Sequence, residues 1–275
     1  MKRGVTINKI FNQSKLMIIM GVIVMMLIPS TAKAQSIGSF SIDIPQRAVK
    51  QKIVVEKPDL EKIKNETLDP KSKYYFPKLV KKFGENDTVM TNEMYRYLYF
   101  GYMFQEDYDP YRTSQYSVDL NEFRSKANYT EEELDTLRVR VEKSLNDNPF
   151  DLQQMSLLVY IYKKKNKRMT SKIWEYRLEN LLAAIKSTGT GEDIDNAWYV
   201  ITPAHEYDMV RMLGYQAVDA EFIEPGYDYL IVEPDEDTRT KLRNKVAPGF
   251  YFNVIVPQEQ YEMKHPELWR EEPEL

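Results

Sequence analysis

Residues 95–112 read YRYLYFGYMFQEDYDPYR, six tyrosines, two phenylalanines and two arginines in eighteen positions. Whether this segment fills a helical interior or presents a stacking surface decides the fold around it. Thr91 is placed to cap a helix from Asn92 to about Gln105, with Glu93 in its first turn where the helix dipole favours an anion. On that helix Tyr95, Tyr99 and Tyr102 form one stripe, and Met94, Leu98 and Gly101 form the next. An apolar arc that wide predicts neighbours on both sides, with the phenol oxygens reaching the rim and Gly101 admitting another backbone. Bulky aromatics at helical spacing more often fill interfaces than stack ligands, so packing is the expected role. After Asp107 the chain leaves the helix. Tyr108, Tyr111, Arg112 and Tyr116 are then the residues expected at the surface, and loop aromatics beside an arginine suit recognition.

Downstream the punctuation is helical. Thr130-Glu131-Glu132-Glu133 is a capping box before the stripe Leu134, Leu137, Val141 and Leu145. Asn148-Pro149 predicts a second start, with proline at the first helical position. The basic turn Lys163–Arg168 leads to a partner helix carrying Trp174, Leu178, Leu181 and Ile185 as far as Gly189. The pair over 149–187 has the size of a tetratricopeptide-type unit, although only Leu157-x-x-Tyr160 echoes that consensus. Upstream, residues 35–70 are polar and read as an extended arm, with a first helix expected at about Phe76–Phe83.

After Gly191 the period changes. Trp198–Ile201 reads as a short strand and Thr202-Pro203 as a helix start. Val218, Ala220 and Phe222 alternate with Asp219 and Glu221, the Pro225-Gly226 turn follows, and Asp228–Glu233 returns. Phe250–Val256 alternates again, and residues 258–275 read as a charged, loose tail. The expected fold is therefore α+β. An N-terminal helical layer with a tetratricopeptide-like hairpin (71–188) precedes a small antiparallel sheet with one helix (189–257), in a single domain.

The first 34 residues read as an export signal. Lys2, Arg3, Lys9 and Lys15 precede thirteen largely apolar residues, Leu16–Ile28, and Ala32-Lys33-Ala34 offers a cleavage site. The apolar run is too short to span a bilayer, so no stable membrane span is expected after cleavage, and the periplasm or exterior is the expected compartment. Cleavage at Ala34 would remove five basic and no acidic residues, moving the formal charge from −4 to −9. So acidic a domain, with its cations scattered, does not attract phosphate backbones, and nucleic acid is not an expected partner. The chain has no cysteine, which excludes disulfides, thiolate metal sites and a cysteine nucleophile.

Catalytic motifs are missing. His205-Glu206 begins as a zinc-hydrolase motif does, but Met209 stands where the second histidine is needed. Glu206 and Asp208 are expected on the solvated side and first turn of their helix. Two histidines and no G-x-S-x-G argue against a serine hydrolase, and Thr188–Gly191 follows a helix rather than a strand, which is the wrong setting for a phosphate loop. No catalytic residue, metal ligand or cofactor is assigned. The expected function is a non-enzymatic binding or interaction module, taking an envelope protein or a glycan through Tyr108, Tyr111, Arg112 and Tyr116. The alternative is a hydrolase using acidic residues between helices and sheet, and a clustered pair of buried carboxylates would favour it.

The segments YYFPKLVKKF, LYFGYMFQEDYDPY, AAIKSTGTG, HEYDMVRMLGYQAV and FYFNVIV occur in this order. In them the chain resembles the exported bacterial proteins grouped as domain of unknown function family 4919, over roughly Pro58 to Val256. The resemblance implies export and a single family domain. It carries no catalytic motif and no functional residue.

Overall fold

The computed structural model describes residues 55–85, 89–126, 128–243 and 245–269. The export signal read at 1–34, residues 35–54 of the arm and the last six residues lie outside them.

The helical layer opens one helix earlier than the sequence suggests. α1 (Leu60–Leu68) is capped by Asp59, whose side chain accepts from the Lys62 amide at 2.9 Å, and it buries Ile63 and Thr67. α2 (Phe76–Gly84) follows with Pro77 in its first turn. α3 (Asn92–Gly101) has the predicted Thr91 cap, at 3.2 Å from the Met94 amide, and runs into a 3-10 turn at Tyr102–Phe104. α4 (Leu120–Arg124) is short; α5 (Glu131–Asp147) carries the complete capping box of Thr130 and Glu133. α6 (Leu152–Lys164) is capped by Asp151, two residues past the proline expected to start it, and α7 (Arg168–Lys186) packs back on it as a helical hairpin. Asn166 in the turn has φ 56°, a left-handed conformation that asparagine tolerates.

α3 lies against α1, α2 and α7, which is why its tyrosines are interior. Tyr97 stacks on Tyr74 at 3.8 Å between centroids. Tyr95 sits edge-on to both Phe83 and Tyr176 at 6.2 Å. Tyr95, Tyr99 and Tyr102 are all buried, as is Tyr97 between them. Each such ring contributes about 1.5–3 kcal/mol of apolar burial. Gly101 admits the Thr67 side chain rather than a backbone: a Cβ there would stand 2.5 Å from the Thr67 methyl.

The second part is a four-stranded sheet of β1 (Trp198–Tyr199), β2 (Tyr215–Ile223), β3 (Tyr227–Pro234) and β4 (Gly249–Asn253), with α8 (Ala204–Met212) before β2. The strand order is β1-β4-β3-β2. β2–β3 and β3–β4 are antiparallel as expected, but β1 joins β4 in parallel, so the sheet is mixed. A two-residue strand has no period from which to read direction. Between Ala217 and Asp219 the register shifts, leaving Val218 half exposed rather than inward with Ala220 and Phe222. The inner face carries Trp198, Leu230, Val232, Phe250 and Phe252, all buried.

Two more helices replace expected coil and strand. α9 (Glu236–Leu242) stands in the charged loop, capped by Asp235. Val254–Val256 does not extend β4. The Asn253 side chain accepts from the Ile255 amide, and α10 (Ile255–Lys264) begins there. Its last residue is anchored rather than loose, because Lys264 Nζ donates to the carbonyls of Gln105, Glu106 and Tyr108 at 3.2, 2.9 and 2.6 Å. Among the described residues no helix is long and apolar enough to cross a membrane.

Candidate functional site

α8 packs between α6 and β2, so both of its sides are covered. This reverses the expectation for its acidic residues: Glu206 is 1 % exposed and Asp208 5 %. Three polar side chains of one helix are thereby carried into the interior, each with a different solution to its burial.

His205 is held at both ring nitrogens, with Nε2 2.8 Å from the Phe150 carbonyl and Nδ1 2.7 Å from the Tyr99 hydroxyl. A carbonyl only accepts, so Nε2 carries the proton, and Nδ1 of the neutral ring accepts from Tyr99. Burial pushes the imidazole down to about 4, opposed by the bond to Phe150. It is a neutral structural link with no ring nitrogen left for chemistry. Asp208 pairs with Arg211 at 3.0 Å, yet burial outweighs that partner and lifts the carboxyl to about 7.

Glu206 faces Asp228, the second residue of β3, and each carboxyl acts on the proton affinity of the other. Two interacting carboxyls out of water repel when both are ionised, and one proton on the pair relieves that repulsion. Burial first, then the Asp228 charge, drives Glu206 well above the ordinary carboxylate range. Asp228 is raised to about 6 by burial, offset by Glu206. Glu206 Oε1 is buried without a partner. Leaving an oxygen so placed costs roughly 1–3 kcal/mol, which a buried structural carboxyl would normally avoid.

The pair does not stand alone. The Tyr111 phenol feels Asp228, Tyr261 and Glu206 and, chiefly through burial, is pushed up to about 12. Its ring lies edge-on to Tyr261 of α10, centroids 4.7 Å apart. The Tyr207 phenol is raised by burial and by the same two carboxyls. A carboxyl pair with phenols nearby can supply a hydrogen-bond donor and acceptor together, or an acid and a base, to a polar group. Among the described residues no three histidine, aspartate or glutamate side chains are grouped to hold a metal.

Of the four loop residues expected at the surface, Tyr108 is a correction. It is buried, its hydroxyl donating to the Ile201 carbonyl and its ring edge-on to Tyr102. A short turn brings it back onto the core it was expected to leave. Tyr111, Arg112 and Tyr116 are half-buried. Arg112 donates to the carbonyls of Asp147 and Asp107, and Lys143 lies over the Tyr116 ring at 5.3 Å. Tyr111 therefore belongs with the carboxyl pair, whereas Arg112 and Tyr116 belong to the surface beside the end of α5. Glu206 and Asp228 were missed as site residues, but one signal was available. Asp228 has the same strand parity as Leu230 and Val232, so a half-buried strand turns it inward.

The family model for a domain of unknown function (DUF4919) matches residues 61–263. The chain belongs to that family. The DUF4919 match starts inside α1 and ends inside α10, so it includes Tyr111, Glu206, Asp228 and Tyr261 and excludes the segment read as an export signal. No curated protein and no solved structure matches the chain.

Proposed function

We propose that this DUF4919 chain is an exported binding or protein-interaction module whose site is the 107–118 loop and the carboxyl pair beneath it. The observation that carries this reading is that the loop is fixed yet leaves aromatic and cationic side chains at the surface. Arg112 ties its start to Asp147, Ser114 donates to the Asp147 carboxylate at 2.7 Å, and Arg140 donates to the carbonyls of Tyr116 and Ser117. A loop ordered before its ligand arrives loses less entropy on binding. The ligand is an envelope protein or a glycan. Export is supported by the basic–apolar–small order of residues 1–34. The formal charge of −9 expected after cleavage supports a partner other than nucleic acid.

The test is affinity capture from native envelopes, together with a glycan array, comparing the wild type with Tyr111→Ala and Tyr116→Ala. Loss of a specific ligand in variants that keep their circular dichroism spectrum supports the assignment. Ligands retained unchanged by both variants remove it.

One observation favours the second reading, an acid–base hydrolase: the buried carboxyls of Glu206 and Asp228 with raised affinities for protons. In that reading Glu206 donates a proton and Asp228 accepts one. Turnover of a chromogenic ester or glycoside that vanishes in Glu206→Gln would establish it. A panel left untouched by the wild type between pH 5 and 8 would set it aside.

A further inference from the structure

The face of the sheet opposite the core is an aromatic surface of a different kind. Strand alternation puts Tyr199 of β1, Tyr251 of β4 and Tyr227 and Tyr229 of β3 on the side away from Trp198, Phe250, Phe252 and Leu230. All four tyrosines are half-buried, whereas the rings on the other side are fully enclosed. The register makes rows across the sheet. Glu221 stands opposite Tyr229, which stands opposite Tyr251; one row along, Asp219 stands opposite Ile231, which stands opposite Gly249. Tyr229 and Tyr251 are in contact, centroids 4.5 Å apart at 33°. The Tyr229 ring also lies over Gly249, where a Cβ would stand 2.4 Å from it, so the glycine lets that ring lie flat against the sheet.

Charge completes the pattern. None of the four strands contains a lysine or an arginine, while Glu221 is exposed at the β2 end of the Tyr229–Tyr251 row and Asp219 at the β2 end of the adjoining Ile231–Gly249 row. Tyrosine faces are electron-rich, and a carboxylate beside them adds full negative charge. An ammonium or guanidinium group satisfies both at once. Rows on one face of a sheet are about 6.8 Å apart, twice the rise per residue, which is also the spacing of alternate side chains along an extended peptide.

We propose that this face binds an extended basic peptide segment, with one lysine or arginine side chain on the Tyr229–Tyr251 row paired with Glu221, and the next alternate one a row along, where the Tyr229 ring covers Gly249, paired with Asp219. The surface goes beyond the loop reading and does not depend on it, because the substitutions that test the loop touch none of these strands.

The experiment is calorimetric titration of the full chain with a ten-residue alternating Lys-Thr peptide, at 50 mM and 300 mM salt. A Ser-Thr peptide and cellohexaose serve as comparison ligands. The proposal expects the lysine peptide to bind and to weaken about tenfold or more between the two salt concentrations. Glu221→Gln should weaken it about fivefold and flatten the salt dependence. Tyr251→Leu, which keeps an apolar side chain on the sheet, should weaken it about tenfold without changing the circular dichroism spectrum. The Ser-Thr peptide should not bind. Absence of lysine-peptide binding at 50 mM salt overturns the proposal, as does binding by both variants as tight as the wild type's. Salt-independent binding of cellohexaose that Tyr251→Leu abolishes but Glu221→Gln spares also overturns it, and makes the face a glycan platform.

Discussion

The Tyr99 hydroxyl reaches His205 Nδ1 across 2.7 Å, joining the centre of the helical layer to the helix that leads into the sheet. The Ile201 amide donates to the same hydroxyl at 3.4 Å, and His205 Nε2 donates onward to Phe150. Removing the phenol oxygen leaves a fully buried imidazole nitrogen and a backbone amide without their partner. Tyr99→Phe should therefore destabilise the fold by about 1–3 kcal/mol, read from the denaturant midpoint with an unchanged slope. A midpoint equal to wild type would mean that the chain of bonds contributes nothing.

The pH dependence of stability has two opposed parts. His205 is lowered to about 4 in the fold, so its contribution is present above the unfolded value near 6.5 and is lost as pH falls toward 4. The full effect is at most about 3 kcal/mol. Glu206, Asp228 and Asp208 are raised, to about 6 for Asp228 and about 7 for Asp208. Their contribution is complete below the unfolded carboxyl range near 4 and is lost as pH rises through those folded values. Relative to wild type, His205→Gln should accordingly gain melting temperature at pH 4.5 over pH 7.5. Glu206→Gln should gain at pH 8 over pH 4.5. Parallel curves for either variant would contradict the corresponding half.

Gly101→Ala sets helix propensity against packing. In an open helix the change would gain up to about 1 kcal/mol. Here the new methyl would stand 2.5 Å from Thr67 Cγ2. Overpacking of that kind costs about 1–3 kcal/mol, so a net loss is expected in thermal unfolding. Thr67→Ser removes the offending methyl and keeps the hydroxyl that bonds the Ile63 carbonyl at 2.7 Å, so the double variant should recover most of the loss.

Lys264 holds three carbonyls of the 105–108 turn from the far end of α10. Lys264→Ala should speed amide hydrogen exchange over residues 105–111 several-fold while leaving α6 and α7 unchanged. Uniform exchange across the molecule would show that the anchor is not local.

Local chemistry made much of the fold legible. The Thr91 cap, the Thr130–Glu133 box and the hairpin across Pro225-Gly226 each rest on interactions within a few residues. What escaped depends on distant partners. α1 is nine residues with little apolar periodicity and is held by α3. The direction of β1 depends on β4, more than fifty residues away. Tyr108 looked like a loop aromatic because nothing nearby announces that Ile201 waits for its hydroxyl. The site was the least legible part. Charged side chains on a helix are normally solvated, and only the covering of α8 by α6 and β2 turns Glu206 inward to meet Asp228.

That meeting is the central claim, and carboxyl carbon NMR titration of the isotopically labelled domain addresses it directly. The Glu206 Cδ signal should titrate well above the ordinary carboxylate range, while Asp228 Cγ titrates near 6. Asp228→Asn should return Glu206 toward lower values. Both signals already at their ionised shifts at pH 5 would contradict the account.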